Sequence, residues 1–130
     1  MDLSELLGPL ESEVMELMWS ERQATVRDVV EILLQRRSIA YTTAMTIMNN
    51  LVKKGLLKRS PRGKAYLYAV VLSREEFLER MSGEAVSEVL EKFGDLAIAR
   101  FAETVAKLSP EDLRRLQQLA KEKDQGGINQ

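Results

Sequence analysis

Thr42, Thr46, Asn49, Asn50 and Lys53 are spaced three and four residues apart, so at 100° per residue they share one face of a helix. Hydroxyls, carboxamides and an ammonium are the groups that hydrogen-bond to base edges and phosphate oxygens. The other face carries Ala44, Ile47, Met48, Leu51 and Val52, which suit an inward packing surface. Asn pairs with adenine through two hydrogen bonds, and the methyl group of Thr or Met fits against a thymine methyl. Thr42, Thr43, Thr46, Asn49 and Asn50 are therefore the candidate base contacts, with Met45 on their border. Plain solvation explains the pattern less well, because Thr and Asn are mediocre helix formers that add nothing to an exposed helix.

Cations follow directly. Lys53, Lys54, Arg59, Arg62 and Lys64 are the candidate phosphate contacts, with Lys58 beside them; such contacts supply affinity and salt dependence without reading sequence. Arg27, Arg36 and Arg37 are secondary candidates. From Arg22 to Lys64 ten Lys/Arg stand against Asp28 and Glu31, a local balance of +8. From Ser73 onward nine Lys/Arg meet twelve Asp/Glu, a balance of −3. The net charge of −1 averages two unlike halves and conceals a local positive field.

The composition argues against catalysis. The 130 residues include no Cys and no His, which removes disulfides, thiolate metal sites, the cysteine nucleophile and the commonest general base. Glu75 and Glu76 have no nucleophile or base patterned around them, and adjacent acids on a helix diverge. No enzyme, metal, cofactor or small-molecule substrate is expected. The start, MDLSELLGPL, is acidic where a secretion signal is basic, and no apolar run reaches membrane-spanning length; a cytoplasmic protein is the expectation.

The elements that position these residues read as follows. A first helix starts at Pro9, apt for a first helical position, and buries Leu10, Val14, Leu17 and Met18. A second opens with a capping box at Thr25-Val26-Arg27-Asp28 and buries Val26, Val29, Val30, Leu33 and Leu34. The third runs from Tyr41 to Lys54 and ends at Gly55, which takes a left-handed conformation readily. Leu56 to Ser60 and Lys64 to Val71 read as strands joined by a turn at Pro61-Arg62-Gly63, with a brief third strand at Gln23-Ala24-Thr25. This is a winged helix-turn-helix. Trp19 closes the first helix's core, and Tyr66 and Tyr68 share a strand face that covers it.

Beyond Ser73 the pattern is helical, in segments from Arg74 to Phe93, from Asp95 to Lys107, and from the capping box at Ser109-Pro110-Glu111-Asp112 onward. Such short helices hold too little core to stand alone, so pairing with a second copy is expected. Phe77, Leu78, Met81, Val89, Phe101, Val105 and Leu116 are the candidate dimer interface. The expected fold is mainly α with a β-hairpin wing: a DNA-binding domain over residues 1–72, a helical dimerisation domain over 73–124, and a flexible tail over 125–130.

The segments LGPLESEVMELMWS, ATVRDVVEILLQRR and IAYTTAMTIMNNLVKKGLLKRSPRGKAYLYAVV resemble the penicillinase-repressor family, with BlaI and MecI as named members. The resemblance is strong to about Val71 and looser beyond. It implies a homodimeric transcriptional repressor whose winged helices bind a palindromic double-stranded DNA operator, with half-sites resembling TACA and TGTA. It also implies release when a membrane-bound sensor metalloprotease cuts the dimerisation region at an Asn-Phe bond. The matching dipeptide here is Arg100-Phe101, which departs from that pattern at its first position. Copper-sensing relatives carry a C-terminal cysteine cluster that this chain lacks. The alternative from another class is a winged-helix module that binds protein without specific DNA binding, which calls for an apolar patch on the third helix or the wing.

Overall fold

The computed structural model describes residues 2–128, and side chains as far as Lys123. A 3₁₀ turn at Leu3–Glu5 leads into α1 (Pro9–Glu21), β1 (Gln23–Ala24), α2 (Val26–Leu33), α3 (Tyr41–Lys53), β2 (Leu57–Arg62) and β3 (Ala65–Val70). Three further helices follow, α4 (Arg74–Phe93), α5 (Asp95–Ala106) and α6 (Pro110–Ile128). The chain divides into two compact units, Met1–Gly83 and Glu84–Gln130.

In the first unit, local signals start and stop the helices where the sequence asks. Pro9 opens α1. The Thr25 hydroxyl accepts from the Asp28 N–H at 3.1 Å while the Asp28 carboxylate accepts from the Thr25 N–H at 3.0 Å, so two orphan donors of α2 are satisfied reciprocally. Gly55 ends the turn after α3 at φ +80°, where a side chain would be strained. The apolar stripes of the three helices then meet: Val14, Met15, Met18, Val29, Ala44, Met48 and Leu51 have no exposed surface. Met15 was not among the expected core residues; it flanks the α1 stripe and is as buried as Val14 beside it.

The sheet is antiparallel, in the order β1-β3-β2, with Ala24 opposite Tyr68 and Arg59 opposite Tyr68 on the other side. The hairpin turn lies later than the sequence suggests. Pro61 and Arg62 pair with Tyr66 and Ala65, leaving Gly63-Lys64 as a two-residue loop with Gly63 at φ +61°. Gly at the first loop position follows the twist of paired strands, and Pro61 is tolerated because β2 is an edge strand. Tyr68 is buried under the sheet, whereas Tyr66, nearer the tip, is exposed and does not cover the core.

The first unit extends past the expected boundary at residue 72 and takes in the first ten residues of α4. Phe77 is buried 5.9 Å from Trp19, centroid to centroid, and the Trp19 indole N–H donates to the Leu72 carbonyl at 2.8 Å. Ser73 and Glu76 form a reciprocal cap at the start of α4 (3.0 and 3.1 Å), a Ser-x-x-Glu signal legible in the sequence. In the second unit Ala97 is the one buried residue among those described. The Ser109 hydroxyl caps α6 by accepting from the Asp112 N–H at 3.1 Å. The backbone of α6 stays helical to Ile128, beyond Gln125 where a tail was expected; residues 129 and 130 lie outside those described.

Candidate nucleic-acid interface

The polar face of α3 is directed away from the core. Thr42, Thr43 and Thr46 are exposed, and Asn50 is half-buried at their edge. The Thr46 hydroxyl donates to the Thr42 carbonyl at 2.9 Å, which holds its methyl group at a set orientation on the outer face. Tyr41 and Met45 are exposed beside them. Tyr41 sits at the first position of α3; the sequence alone offered no sign distinguishing it from the core aromatics.

Asn49 behaves differently from its neighbours. Its side-chain oxygen accepts from the Tyr68 hydroxyl at 2.7 Å and from Arg59 at 2.9 Å. The Arg59 guanidinium in turn lies 4.3 Å from the centre of the Tyr66 ring. Sequence reasoning missed this cluster because its members are up to nineteen positions apart and no local spacing connects them.

The expected phosphate contacts also separate. Lys53, Lys58 and Lys64 are exposed and carry no ion pair among the described residues. Lys54 donates to Glu11 of α1 at 2.6 Å, so it faces the rest of the fold. Arg37 is similarly paired with Glu13 at 3.3 Å, and Arg27 with Glu31 at 3.2 Å. Arg62 lies within electrostatic reach of Asp28, whose carboxyl is held below its ordinary pKa chiefly by the Thr25 N–H, with smaller contributions from the Thr25 side chain, Arg62 and Arg27. From Ala40 to Lys64 the chain has no acid at all; the acids near this stretch come from other elements, Glu11 beside Lys54 and Asp28 near Arg62.

The penicillinase repressor family matches residues 7–122. The chain belongs to this family. The transcriptional regulator BlaI of Mycobacterium tuberculosis is 36% identical over 111 residues, covering 84% of this chain and 80% of that protein. The penicillinase repressor of Bacillus licheniformis is 23% identical over 116 residues, covering 89% of this chain and 90% of its own. A solution structure of the DNA binding domain of the repressor BlaI aligns with 58% of this chain and 93% of its own length at 22% identity, with a TM-score of 0.49; the family assignment does not depend on it.

For this penicillinase-repressor chain the second unit holds the remaining candidates. Val89, Phe101, Val105 and Leu116 are exposed. Phe93, Leu96 and Phe101 line an apolar hollow of about 640 Å³. Phe77, Leu78 and Met81 are placed elsewhere: Phe77 is buried in the first unit, and Leu78 and Met81 pack against the same core. Phe77 has its surface covered there, while Leu78 and Met81 remain half-buried. Arg100 and Phe101 lie in the middle of α5, where Arg100 pairs with Glu103 at 3.3 Å. Among the described residues no group of acids or other ligands has metal-binding geometry, and no helix is long and apolar enough to cross a membrane.

Proposed function

We propose that this chain is a homodimeric, sequence-specific transcriptional repressor that acts in the cytoplasm, each copy presenting α3 and the wing to one half of a palindromic operator. The observation that carries the reading is that the stretch forming α3 and the wing contains no acid and exposes Thr42, Thr43 and Thr46 together with Lys53, Lys58 and Lys64, which carry no ion pair among the described residues. Hydroxyls and methyls on α3 meet base edges, while the lysines neutralise phosphates. Dimerisation draws support from the second unit, whose helices leave Phe93, Leu96, Ile98 and Phe101 exposed. Apolar surface on that scale is covered in a stable protein, and a two-fold copy of the same helices is a self-complementary cover.

Two winged helices on a two-fold axis read inverted half-sites separated by roughly one helical turn, about 34–36 Å, or a multiple of it. Relief by a membrane-bound sensor metalloprotease that cuts at Arg100-Phe101 completes the proposal. Selection of bound duplexes from random DNA tests the central claim. Inverted repeats with fixed spacing are expected; a scrambled half-site bound as tightly at moderate salt rejects sequence-specific readout.

A further inference from the structure

We infer that Asn49 is a positioning residue that locks the wing to α3 and does not itself read a base, an assignment that rests on the operator-binding reading above. Its amide is oriented without ambiguity. Arg59 has donors only, so the Asn49 atom 2.9 Å from it is the oxygen, and the Tyr68 hydroxyl 2.7 Å from the same atom must donate. A carbonyl oxygen has two lone pairs, and both are now occupied. Two-pronged pairing with adenine needs that oxygen to accept from the base while the amide NH2 donates to it. Asn49 makes that pair only by surrendering at least one of these hydrogen bonds, to Arg59 (charge-assisted) or to Tyr68. Tyr68 is almost wholly buried and cannot follow the side chain outward.

The same contacts cross three elements. Asn49 stands on α3, Arg59 on β2, and Tyr66 and Tyr68 on β3, with Arg59 directly opposite Tyr68 in the ladder. Arg59 is held between the Asn49 oxygen and the Tyr66 ring, and its remaining N–H groups are left for phosphate. Fixing the guanidinium fixes the wing strand that bears it. Bases are then read by the threonines and Asn50, in a register that Asn49 helps to set.

The test has two parts. In the free protein, amide hydrogen exchange across the wing is compared for wild type, Asn49→Ala, Arg59→Ala and the double variant. Each single change is expected to speed exchange of the wing amides roughly tenfold or more, since Asn49→Ala also frees the Tyr68 hydroxyl and Arg59→Ala also frees the Tyr66 ring, and the double variant is expected to fall short of the product of the two effects because the shared Asn49–Arg59 bond is lost only once. Unchanged exchange in Asn49→Ala, or rates that multiply in the double variant, overturns the lock. Should Asn49→Ala fail to fold, Tyr68→Phe keeps the buried ring, removes one donor and is expected to loosen the same amides.

Selection from random DNA is then run with wild type and Asn49→Asp, in which the carboxylate still accepts from Arg59 and Tyr68. The preferred base at every position is expected to stay the same. A base-reading Asn replaced by Asp shifts preference from adenine to cytosine, and such a shift overturns the inference. Wild type selecting no sequence removes the operator reading, while exchange in the free protein still judges the lock.

Discussion

Lys54 Nζ lies 2.6 Å from Glu11 Oε2, tying the residue after α3 to the first turn of α1, whereas Lys53, one position earlier, carries no ion pair among the described residues. One step along a helix turns a side chain by 100°, and here it separates two lysines that look alike in the sequence. The consequence concerns which cation meets DNA.

Lys53→Ala is expected to weaken binding to every duplex alike and to lower the slope of log affinity against log salt by about one unit. Lys54→Ala is expected to leave that slope near the wild-type value and to cost less than about 1 kcal/mol of stability, since an exposed ion pair contributes little. Titrations over a range of salt concentrations check both. Equal slope losses for the two variants would return Lys54 to the phosphate contacts.

Phe101→Glu tests the second unit. In the proposed dimer Phe101 is an aromatic anchor, and an anchor of that kind is worth at least about 2 kcal/mol, or roughly thirtyfold in dissociation constant. Sedimentation equilibrium is expected to show a dimer for wild type and a monomer for Phe101→Glu. Because Phe101 is exposed in the single copy, the circular dichroism of the winged helix should not change. A dimer of unaltered strength would place the interface elsewhere.

The capping box at Thr25 and Asp28 makes a claim about acid. The folded pKa of Asp28 is depressed, first by the Thr25 N–H, so the folded state binds fewer protons than the unfolded chain. Its stabilising contribution is complete above the unfolded value of about 3.9 and is lost as pH falls through the lower folded value. Urea unfolding at descending pH is expected to show a smaller acid-induced loss in Asp28→Asn than in wild type. At neutral pH, Thr25→Ala is expected to cost about 1 kcal/mol.

Arg22, directly after α1, is the one described non-glycine residue with positive φ, at +74°. L-residues pay for that conformation, and Gly does not. Arg22→Gly is expected to raise stability by about 0.5–1 kcal/mol, after allowing for the extra freedom of Gly in the unfolded chain. A lowered melting temperature would mean that the Arg22 side chain makes up for its backbone strain.

The Arg100-Phe101 bond lies inside a regular helix, with the Thr104 hydroxyl donating to the Arg100 carbonyl at 2.9 Å. A protease binds an extended segment, so cutting here follows local opening of α5. Ala99→Gly weakens the helix by about 1 kcal/mol and is expected to speed cleavage roughly fivefold. Fragment mapping with the candidate sensor protease reads this directly. An intact chain under conditions that release the operator would rule out induced cleavage at this bond.

Much of the architecture that places α3 and the wing was legible without coordinates. The capping box at Thr25, Pro9 at the start of α1, Gly55 after α3 and the two faces of α3 are local signals, and each lies where its spacing predicts. The misplacements arose where the pattern was ambiguous over two or three residues or where distant residues compete. Pro61 looks like a turn residue but is held in an edge strand by its partner Tyr66. Phe77 looks like part of a C-terminal apolar stripe, but Trp19, far earlier in the chain, takes it into the first unit.

The sequence by itself determined the winged-helix architecture, the segregation of charge and the residue types on the outer face of α3, because helix period, caps and turn chemistry act over a few residues. Only the tertiary structure decided which of those groups remain free. Asn49 is occupied by Arg59 and Tyr68, Lys54 by Glu11, and Phe77 by Trp19, in each case through a partner ten or more residues away. Hydrogen bonds, ion pairs and ring contacts depend on distance in space. Chain folding sets that distance, and no spacing along the sequence records it.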